Sequence, residues 1–139
     1  MIAIDTNVLI ALMSSDPATN NPAQAHLQKI SAIESLCICG AVFSELLGLP
    51  GRDEKQLLQL IDSIRIAIEW ETAEADWIAA GVAYQGYVAR RRASAGGLPR
   101  RIATDFIIGA HASVRGYSLL TADQRLYNAA FPTLYILNF

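Results

Sequence analysis

Short apolar runs alternate with longer amphipathic stretches from one end of the chain to the other. The runs are four residues long and rich in aliphatic side chains, which is typical of strands buried in a sheet. They cover residues 2–5, 36–39, 65–68, 117–120 and 134–137. Between them, apolar residues recur at helical spacing, as at Leu57, Leu58, Ile61 and Ile64. This alternation predicts an α/β fold with a mostly parallel sheet packed against helices.

Capping residues and helix breakers indicate where the helices begin and end. Asn20 and Asn21 precede Pro22, which predicts a helix start there because a polar cap followed by proline suits the first turn. Thr104 is predicted to cap the next-to-last helix. The predicted helices span residues 6–13, about 21–34, 40–49, 53–64, 72 to about 92, 105–115 and 123–130. Residues 94–99 contain two adjacent glycines and are predicted to form a flexible loop.

The composition indicates one folded domain. The chain has 139 residues, of which 53% are hydrophobic and 17% charged, and its mean hydropathy is +0.28. Disordered chains have the opposite balance, so we expect a single domain over residues 1–139. No apolar run approaches the ~20 residues that cross a bilayer, and the first residues lack the basic segment of a secretion signal. We therefore expect a cytoplasmic protein that does not enter a membrane.

Four acidic residues lie in unusually apolar surroundings. They are Asp5 at the end of the first predicted strand, Glu45 within a helix, Asp105 at a helix start and Asp123 after the fourth strand. Acids in such places are costly unless they are paired or bound to a cation, and the two lysines lie elsewhere, on helix surfaces. If the four carboxylates converge, they offer oxygen ligands alone, which suit Mg²⁺ or Mn²⁺ better than zinc. Asp105 and Asp123 are equally compatible with structural roles at helix N-termini.

The segments around these acids resemble the PIN-domain nucleases, and most closely the VapC toxins of bacterial and archaeal toxin–antitoxin pairs. The resemblance is carried by Ile4-Asp5-Thr6-Asn7-Val8-Leu9-Ile10, Ser44-Glu45, Thr104-Asp105 and Leu120-Thr121-Ala122-Asp123. It spans nearly the whole chain, with one departure at Tyr127, where the family often has phenylalanine. The resemblance implies a PIN-like three-layer sandwich, in which helices flank a five-stranded sheet of order 3-2-1-4-5.

The same resemblance implies a function and a set of site residues. It implies a metal-dependent endoribonuclease that uses Mg²⁺ or Mn²⁺, forms a homodimer and is inhibited by a cognate antitoxin protein. The catalytic and metal-binding residues would be Asp5, Glu45, Asp105 and Asp123, and the supporting polar groups would be Thr6, Asn7 and Thr121. A bound metal would lower the pKa of a water molecule and polarise the scissile phosphate of the RNA.

Three other functions fit parts of the pattern. A haloacid-dehalogenase-like phosphatase also has an acid after its first strand, but it needs a second acid where Asn7 stands. A receiver domain needs a lysine after a late strand, and this chain has none there. A non-catalytic PIN-fold module that binds RNA or protein stays open as the alternative, although four intact acids argue against a degenerate site.

The charge is strongly polarised along the chain. The net charge is −2, yet residues 77–104 contain five arginines and no acid, so the remainder carries −7. These arginines are Arg90, Arg91, Arg92, Arg100 and Arg101. Guanidinium groups suit phosphate, so we predict that the five arginines bind the RNA backbone beside the acids. A solvated helix end would account for the first three but would leave Arg100 and Arg101 without a role.

The helices between residues 41 and 61 are more apolar than the covering of one sheet face requires. Their apolar positions are Ala41, Val42, Leu46, Leu47, Leu49, Leu57, Leu58 and Ile61. These positions are compatible with packing in the core. They are equally compatible with an exposed groove that receives the antitoxin, because exposed apolar patches usually mark binding sites.

The histidines and cysteines are predicted to be structural. Cys37 and Cys39 lie two apart in an apolar run, a geometry poorly suited to a bridge between them, and no second pair completes a zinc framework. His111 lies six positions after Asp105, about 240° around a helix, so the two do not share a face. His26 lies beside polar residues and is expected to be solvated.

Overall fold

The five predicted strands form one parallel sheet. The computed structural model describes residues 1–94 and 103–139. Its strands are β1 (Ile2–Ile4), β2 (Leu36–Cys39), β3 (Ile66–Glu69), β4 (Ser118–Thr121) and β5 (Ile136–Asn138). Their order is β3-β2-β1-β4-β5, and every pairing between neighbours is parallel. The predicted fold class and strand order are therefore confirmed, and all five strands end at the same edge of the sheet.

Helices connect the strands and cover the sheet. They are α1 (Thr6–Leu12), α2 (Pro17–Ser31), α3 (Gly40–Leu47), α4 (Glu54–Ser63), α5 (Glu74–Ala93), α6 (Ala103–Val114) and α7 (Gln124–Ala130). Every residue of β1 and β2 is buried, whereas the edge strands β3 and β5 are partly exposed. Because successive side chains of a strand point to opposite faces, the two buried strands must be covered on both sides. Among the described residues, no helix is both long and apolar enough to span a bilayer.

Two predicted helix starts are wrong. Helix α2 begins at Pro17, because Asp16 caps it by accepting from the Ala18 N–H at 3.1 Å. Asn20 instead lies inside α2 and donates its amide to the Leu12 carbonyl. Helix α6 begins before Thr104, which therefore does not cap it.

The last strand begins two residues later than predicted. Leu134 is buried but belongs to a turn, in which its N–H donates to the Phe131 carbonyl at 3.0 Å. Pairing with β4 starts where Ile136 lies opposite Leu119. The predicted glycine loop at residues 94–99 lies, from residue 95 onward, outside the described residues.

The core accounts for much of the apolar helix surface between residues 41 and 61. Val42, Leu46, Leu57 and Ile61 are all buried in the main hydrophobic cluster. They therefore stabilise the fold by packing, and they form no exposed groove.

Helix α6 also packs closely at Gly109, where an added Cβ would lie 2.3 Å from a ring carbon of Phe131. Glycine at this position lets α6, which carries Asp105 in its first turn, approach the segment after α7.

Candidate functional site

Asp5 lies at the centre of a hydrogen-bond network at the edge where the strands end. It follows β1 directly and caps α1, and its Oδ1 accepts from the Thr6 backbone N–H at 2.7 Å. Its Oδ2 accepts from the Asn7 amide and from the Thr121 hydroxyl, each at 2.6 Å. Strand β4 lies beside β1 in the sheet, so Thr121 at the end of β4 meets Asp5 although 116 residues separate them.

The carboxylate of Asp5 is buried among uncharged donors. Only 4% of the residue is exposed. Burial raises the pKa of Asp5 above its ordinary value, and the hydrogen bonds from Thr121, Thr6 and Asn7 offset only part of that increase. Among the described residues, no lysine, arginine or histidine donates to this carboxylate. A buried acid with no cationic partner favours a site that receives a cation from outside the chain.

Two further predicted acids lie beside Asp5. The Thr6 hydroxyl donates to the carboxylate of Glu45, so Thr6 contacts both acids at once. Asp105, in the first turn of α6, lines the same cavity of about 410 Å³ as Asp5 and Glu45. The other lining residues are Thr6, Asn7, Ile10, Gly48 and Leu49. This cavity, which we call the acidic cavity, therefore holds three of the four predicted acids, and none of the described residues that line it is basic.

Asp123 stands slightly apart from the other three acids. It caps α7 by accepting from the Leu126 N–H at 3.2 Å, and it lines a different cavity. Its backbone N–H donates to the Thr121 hydroxyl at 2.9 Å. Asp123 is therefore connected to Asp5 by hydrogen bonds through Thr121 and does not share a cavity with it. Asp123 also has a structural role, because it caps α7.

The phenol of Tyr127 lies close enough to Asp5 and Asp105 to be affected by their charges. It is 1% exposed, and burial, followed by the charges of Asp5 and Asp105, raises the pKa of its hydroxyl. The hydroxyl lies near enough to Asp5 to lower the pKa of that carboxyl, yet it forms no hydrogen bond of normal geometry with any described residue. An unpartnered buried hydroxyl is unfavourable, so this group is a weak point of the packing.

The residues of the acidic cavity suit a hard divalent cation in their chemistry. They offer carboxylate, hydroxyl and amide oxygens, which Mg²⁺ and Mn²⁺ prefer. Within the described part of the chain, no three acidic, histidine or cysteine side chains converge tightly enough to enclose a metal ion as they stand. Glu45 is turned toward Thr6 and Asp123 toward α7. A cation bound by Asp5 would therefore need these side chains to turn.

A second cavity, of about 490 Å³, lies on the other side of Asp123. It is lined by Tyr87, Arg90, Arg91, Ser94, Asp123, Arg125, Leu126 and Ala129. Two of the five predicted RNA-binding arginines thus lie beside a predicted acid, whereas Arg92 does not line this cavity. Arg100 and Arg101 lie outside the described residues. Arg125 was not singled out from the sequence, although its position two residues after Asp123 is a signal that could have identified it.

A third cluster of charged groups holds elements together away from the acidic cavity. The Arg115 guanidinium contacts Asp76 Oδ1 at 2.7 Å and Glu69 Oε2 at 3.1 Å. His111 is 2% exposed, and its Nε2 lies 2.9 Å from the same Glu69 oxygen. Tyr117 donates its hydroxyl to Glu69 at 3.1 Å. We call this set, which ties β3 to α5 and α6, the ion-pair cluster; it gives His111 a structural setting.

The smaller predictions about histidine and cysteine have clear outcomes. Cys37 and Cys39 are free and buried, and burial raises the pKa of Cys37 to about 12. Such a thiol stays protonated and inert at neutral pH. His26 is half-buried rather than fully solvated, because its ring packs edge-on against Phe139 at 5.8 Å between centroids.

Comparison with known proteins identifies the family. A model described as PIN domain matches residues 2–132. Because that match covers almost the whole chain, the chain belongs to the PIN domain family. A search of curated protein sequences found no significant match.

Solved structures with the same fold come from several bacteria. VapBC-1 from nontypeable Haemophilus influenzae is similar at a TM-score of 0.68 and 17% identity, with 99% of this chain and 98% of the other covered. VapBC2 from Rickettsia felis, bound to a DNA fragment from the promoter, gives 0.67 and 17%, with 99% and 98% covered. FitAcB from Neisseria gonorrhoeae gives 0.65 and 19%, with 99% and 97% covered. At these identities, the likeness shows the shared fold.

Proposed function

We propose that the protein is a metal-dependent endoribonuclease and the toxin of a toxin–antitoxin pair. PIN domains are generally nucleases, and the similar solved structures include VapBC complexes. The observation that carries the proposal is Asp5: a buried carboxylate with uncharged donors on both oxygens, at the edge of the sheet where the strands end. We further propose that it acts in the cytoplasm as a homodimer and that a small cognate antitoxin inhibits it.

In this proposal, Asp5, Glu45 and Asp105 hold Mg²⁺ or Mn²⁺, and Asp123 assists from the neighbouring cavity. The bound cation would supply a water of lowered pKa and would polarise the scissile phosphate. The role of the chain is to keep Asp5 ionised and correctly oriented. Thr6, Asn7 and Thr121 perform it, because three donors on two oxygens leave the Asp5 carboxylate little freedom to rotate.

Asn7 and Thr121 are themselves held in place, which supports their role in positioning. The Ala122 N–H donates to Asn7 Oδ1 at 3.1 Å, while the Asn7 amide contacts Thr121 at 3.2 Å. The Thr121 hydroxyl accepts from the Asp123 N–H and donates to Asp5. Each side chain therefore has one assigned direction of hydrogen bonding, and the network cannot easily exchange one arrangement for another.

The basic residues Arg90, Arg91, Arg92, Arg100 and Arg101 are proposed to bind the RNA. An acidic cavity repels a polyanion, so a neighbouring region of positive charge is needed to hold the substrate. Arg90 and Arg91 lie in a cavity that Asp123 also lines, which supports this assignment for those two residues.

The experiment compares Asp5→Asn with Asp53→Asn in a cleavage assay on structured RNA with Mn²⁺ or Mg²⁺. Both aspartates cap helices by accepting backbone N–H groups, but Asp53 is exposed and does not line the acidic cavity, so it is a matched control. We expect Asp5→Asn to reduce the cleavage rate at least about 100-fold and Asp53→Asn to leave it unchanged. EDTA should abolish cleavage by the unmodified protein.

Equal cleavage by Asp5→Asn and the unmodified protein would show that the catalytic assignment is wrong. If the unmodified protein binds RNA but does not cleave it with either metal, the non-catalytic PIN-fold binding module becomes the better description.

A further inference from the structure

The cavity beyond Asp123 differs in charge from the acidic cavity. Its lining includes three arginines, Arg90, Arg91 and Arg125, and one acid, Asp123. Two of the arginines come from the last turn of α5 and the third from the first turn of α7. With three arginines and one acid, the described lining carries a net positive charge, which favours an anion. We call this the arginine cavity.

Arg91 has a donor that the described part of the chain leaves unused. Its Nε is buried and has no hydrogen-bond partner among the described residues. A guanidinium presents its donors in a fixed planar fork that matches two oxygens of a phosphate. A turn of the Arg91 side chain toward a phosphate in the arginine cavity would give this donor a partner, and an isolated buried donor is otherwise unfavourable.

Apart from Ser94, the remaining described lining of the arginine cavity is apolar and aromatic. Leu126 and Ala129 come from α7, and Tyr87 comes from α5. The Tyr87 ring packs against Phe106 with 5.5 Å between centroids, which holds its orientation. An aromatic ring beside cationic groups is the combination by which proteins bind a base together with its phosphate. A volume of about 490 Å³ falls in the range of small-ligand sites and suits one nucleotide.

The arginine cavity is connected to Asp5 by two hydrogen bonds. Asp123 lines the cavity, its N–H donates to Thr121 at 2.9 Å, and Thr121 donates to Asp5 at 2.6 Å. On the other side, Phe106, which packs on Tyr87, directly follows Asp105 in the chain. A group in the arginine cavity therefore adjoins Asp123, which Thr121 alone separates from Asp5 in this network.

We propose that the arginine cavity binds the nucleotide of the RNA that adjoins the scissile phosphate. Arg91 and Arg125 contact its phosphate, Arg90 adds charge, and Tyr87 stacks on its base. The inference rests on the proposed function, and it adds Arg125 and Tyr87, which lie outside the predicted run of arginines. It also limits the contribution of Arg92, which does not line the cavity.

The test measures binding in EDTA, so that it does not depend on cleavage. Fluorescence anisotropy of a labelled single-stranded RNA is followed against salt concentration for the unmodified protein, Arg125→Gln, Ala129→Phe and Arg52→Gln. Arg125 and Ala129 are exposed on α7, so both variants should fold, and the melting temperature of each variant checks this. Arg52 is an exposed arginine beside α4 and provides the matched control for loss of one charge.

We expect Arg125→Gln to weaken RNA binding about tenfold and to make the log–log salt slope shallower by about 0.7, as for one lost contact on single-stranded nucleic acid. Ala129→Phe fills the cavity without changing the charge, so it should weaken binding with the slope nearly unchanged. AMP should compete with the RNA at a lower concentration than inorganic phosphate does, because Tyr87 contributes to its binding. Arg52→Gln should have little effect.

Three results would overturn the proposal. The first is an Arg125→Gln variant that binds RNA as tightly as Arg52→Gln. The second is unchanged RNA binding by Ala129→Phe, and the third is equal competition by phosphate and AMP, which would reduce the cavity to a simple anion site. If instead Arg125 proves necessary for binding while Asp5→Asn leaves cleavage unchanged, the nucleotide site stands and the catalytic assignment is the part that fails.

Discussion

Two regions of this molecule bury an aspartate, and they treat its charge in opposite ways. In the ion-pair cluster, Asp76 is completely buried and accepts from Arg115 at 2.7 Å and from the Ala73 N–H at 2.8 Å. Burial alone would raise the pKa of Asp76, but the hydrogen bond and the charge of Arg115 outweigh it, and the pKa is lowered. At the acidic cavity, Asp5 has hydrogen bonds as short but no cation among the described residues, and its pKa is raised.

The difference shows what each region is built for. The opposite charges of Asp76 and Arg115 balance each other, so the ion-pair cluster is stable without a bound ion or ligand. Hydrogen bonds from its neighbours fix the orientation of the Asp5 carboxylate, but no cationic side chain among the described residues balances its charge. Unpaired buried charge is expensive, and folds retain it where a ligand supplies the missing charge. The contrast within one chain therefore supports a cation at Asp5 more strongly than the burial of Asp5 alone would.

The largest expected effect comes from making the same substitution at both places. Asp76→Asn removes the charge that pairs with Arg115, and we expect it to lower the free energy of unfolding by about 2 to 4 kcal/mol. Asp5→Asn removes an uncompensated charge but replaces one accepting oxygen with a donor, so in metal-free buffer we expect it to destabilise the fold less than Asp76→Asn does. Urea unfolding and thermal melting at pH 7 measure both effects.

Adding Mn²⁺ should change the melting temperatures of the two variants differently. We expect Mn²⁺ to raise the melting temperature of the unmodified protein and of Asp76→Asn, but not that of Asp5→Asn, because a ligand that binds the folded state alone stabilises it. A metal-free loss of stability in Asp5→Asn as large as that in Asp76→Asn would contradict the comparison, since it would mean that the charge of Asp5 is compensated as fully as that of Asp76.

A smaller effect is expected from pH, through His111 in the ion-pair cluster. Burial and then the charge of Arg115 lower the pKa of His111, while Glu69 and Asp76 oppose that shift. Between the folded pKa and the ordinary value near 6.5, the unfolded chain binds more protons than the folded one, so stability falls as the pH is lowered through this window. The slope for one proton is at most about 1.4 kcal/mol per pH unit.

Urea unfolding between pH 5 and pH 8 measures this dependence, and His111→Gln provides the comparison because it keeps a donor for Glu69 but does not titrate. The slope between pH 5.5 and pH 7 should be shallower in the variant. Identical slopes would mean that folding leaves the pKa of His111 unchanged.

The smallest expected effect concerns Tyr127, which lies below the acidic cavity. Tyr127→Phe removes a buried hydroxyl that has no hydrogen-bond partner among the described residues, so we expect the free energy of unfolding to stay equal or to rise by up to about 1 kcal/mol. Urea unfolding in EDTA measures it. A decrease of more than 1 kcal/mol would show that the hydroxyl has a partner, such as an ordered water between it and Asp5.

The fold was predictable from the sequence because its strands are buried on both faces. A parallel sheet of this kind produces short, uninterrupted apolar runs, and β1 and β2 are such runs. The order of the strands came from the resemblance to PIN domains rather than from the runs themselves. The start of α2 was not predicted because Asp16-Pro17 and Asn21-Pro22 are both good helix starts, and the choice depends on how α1 and α2 pack.

The site was predictable to the extent that it lies at strand ends. Asp5 and Thr121 follow neighbouring parallel strands, which must end at the same edge of the sheet. Pairs that form across helices were not predictable in this way. From the sequence, Asp76 is expected to stabilise a helix N-terminus. Its ion pair with Arg115, which is 39 residues away, cannot be predicted from the residues around Asp76. The arginine cavity likewise depends on how α5 and α7 pack together.

The hydrogen bond from Thr121 to Asp5 has a consequence for the chain during its synthesis. A ribosome makes β1 first, at about 5 to 20 residues per second, and β4 follows only after more than a hundred further residues. Until β4 pairs with β1, the carboxylate of Asp5 lies in water without its Thr121 donor. Nascent chains that stop before Ser118 therefore carry Asp5, Glu45 and Asp105 without the arrangement around Asp5, and the site can form only after β4 has been synthesised.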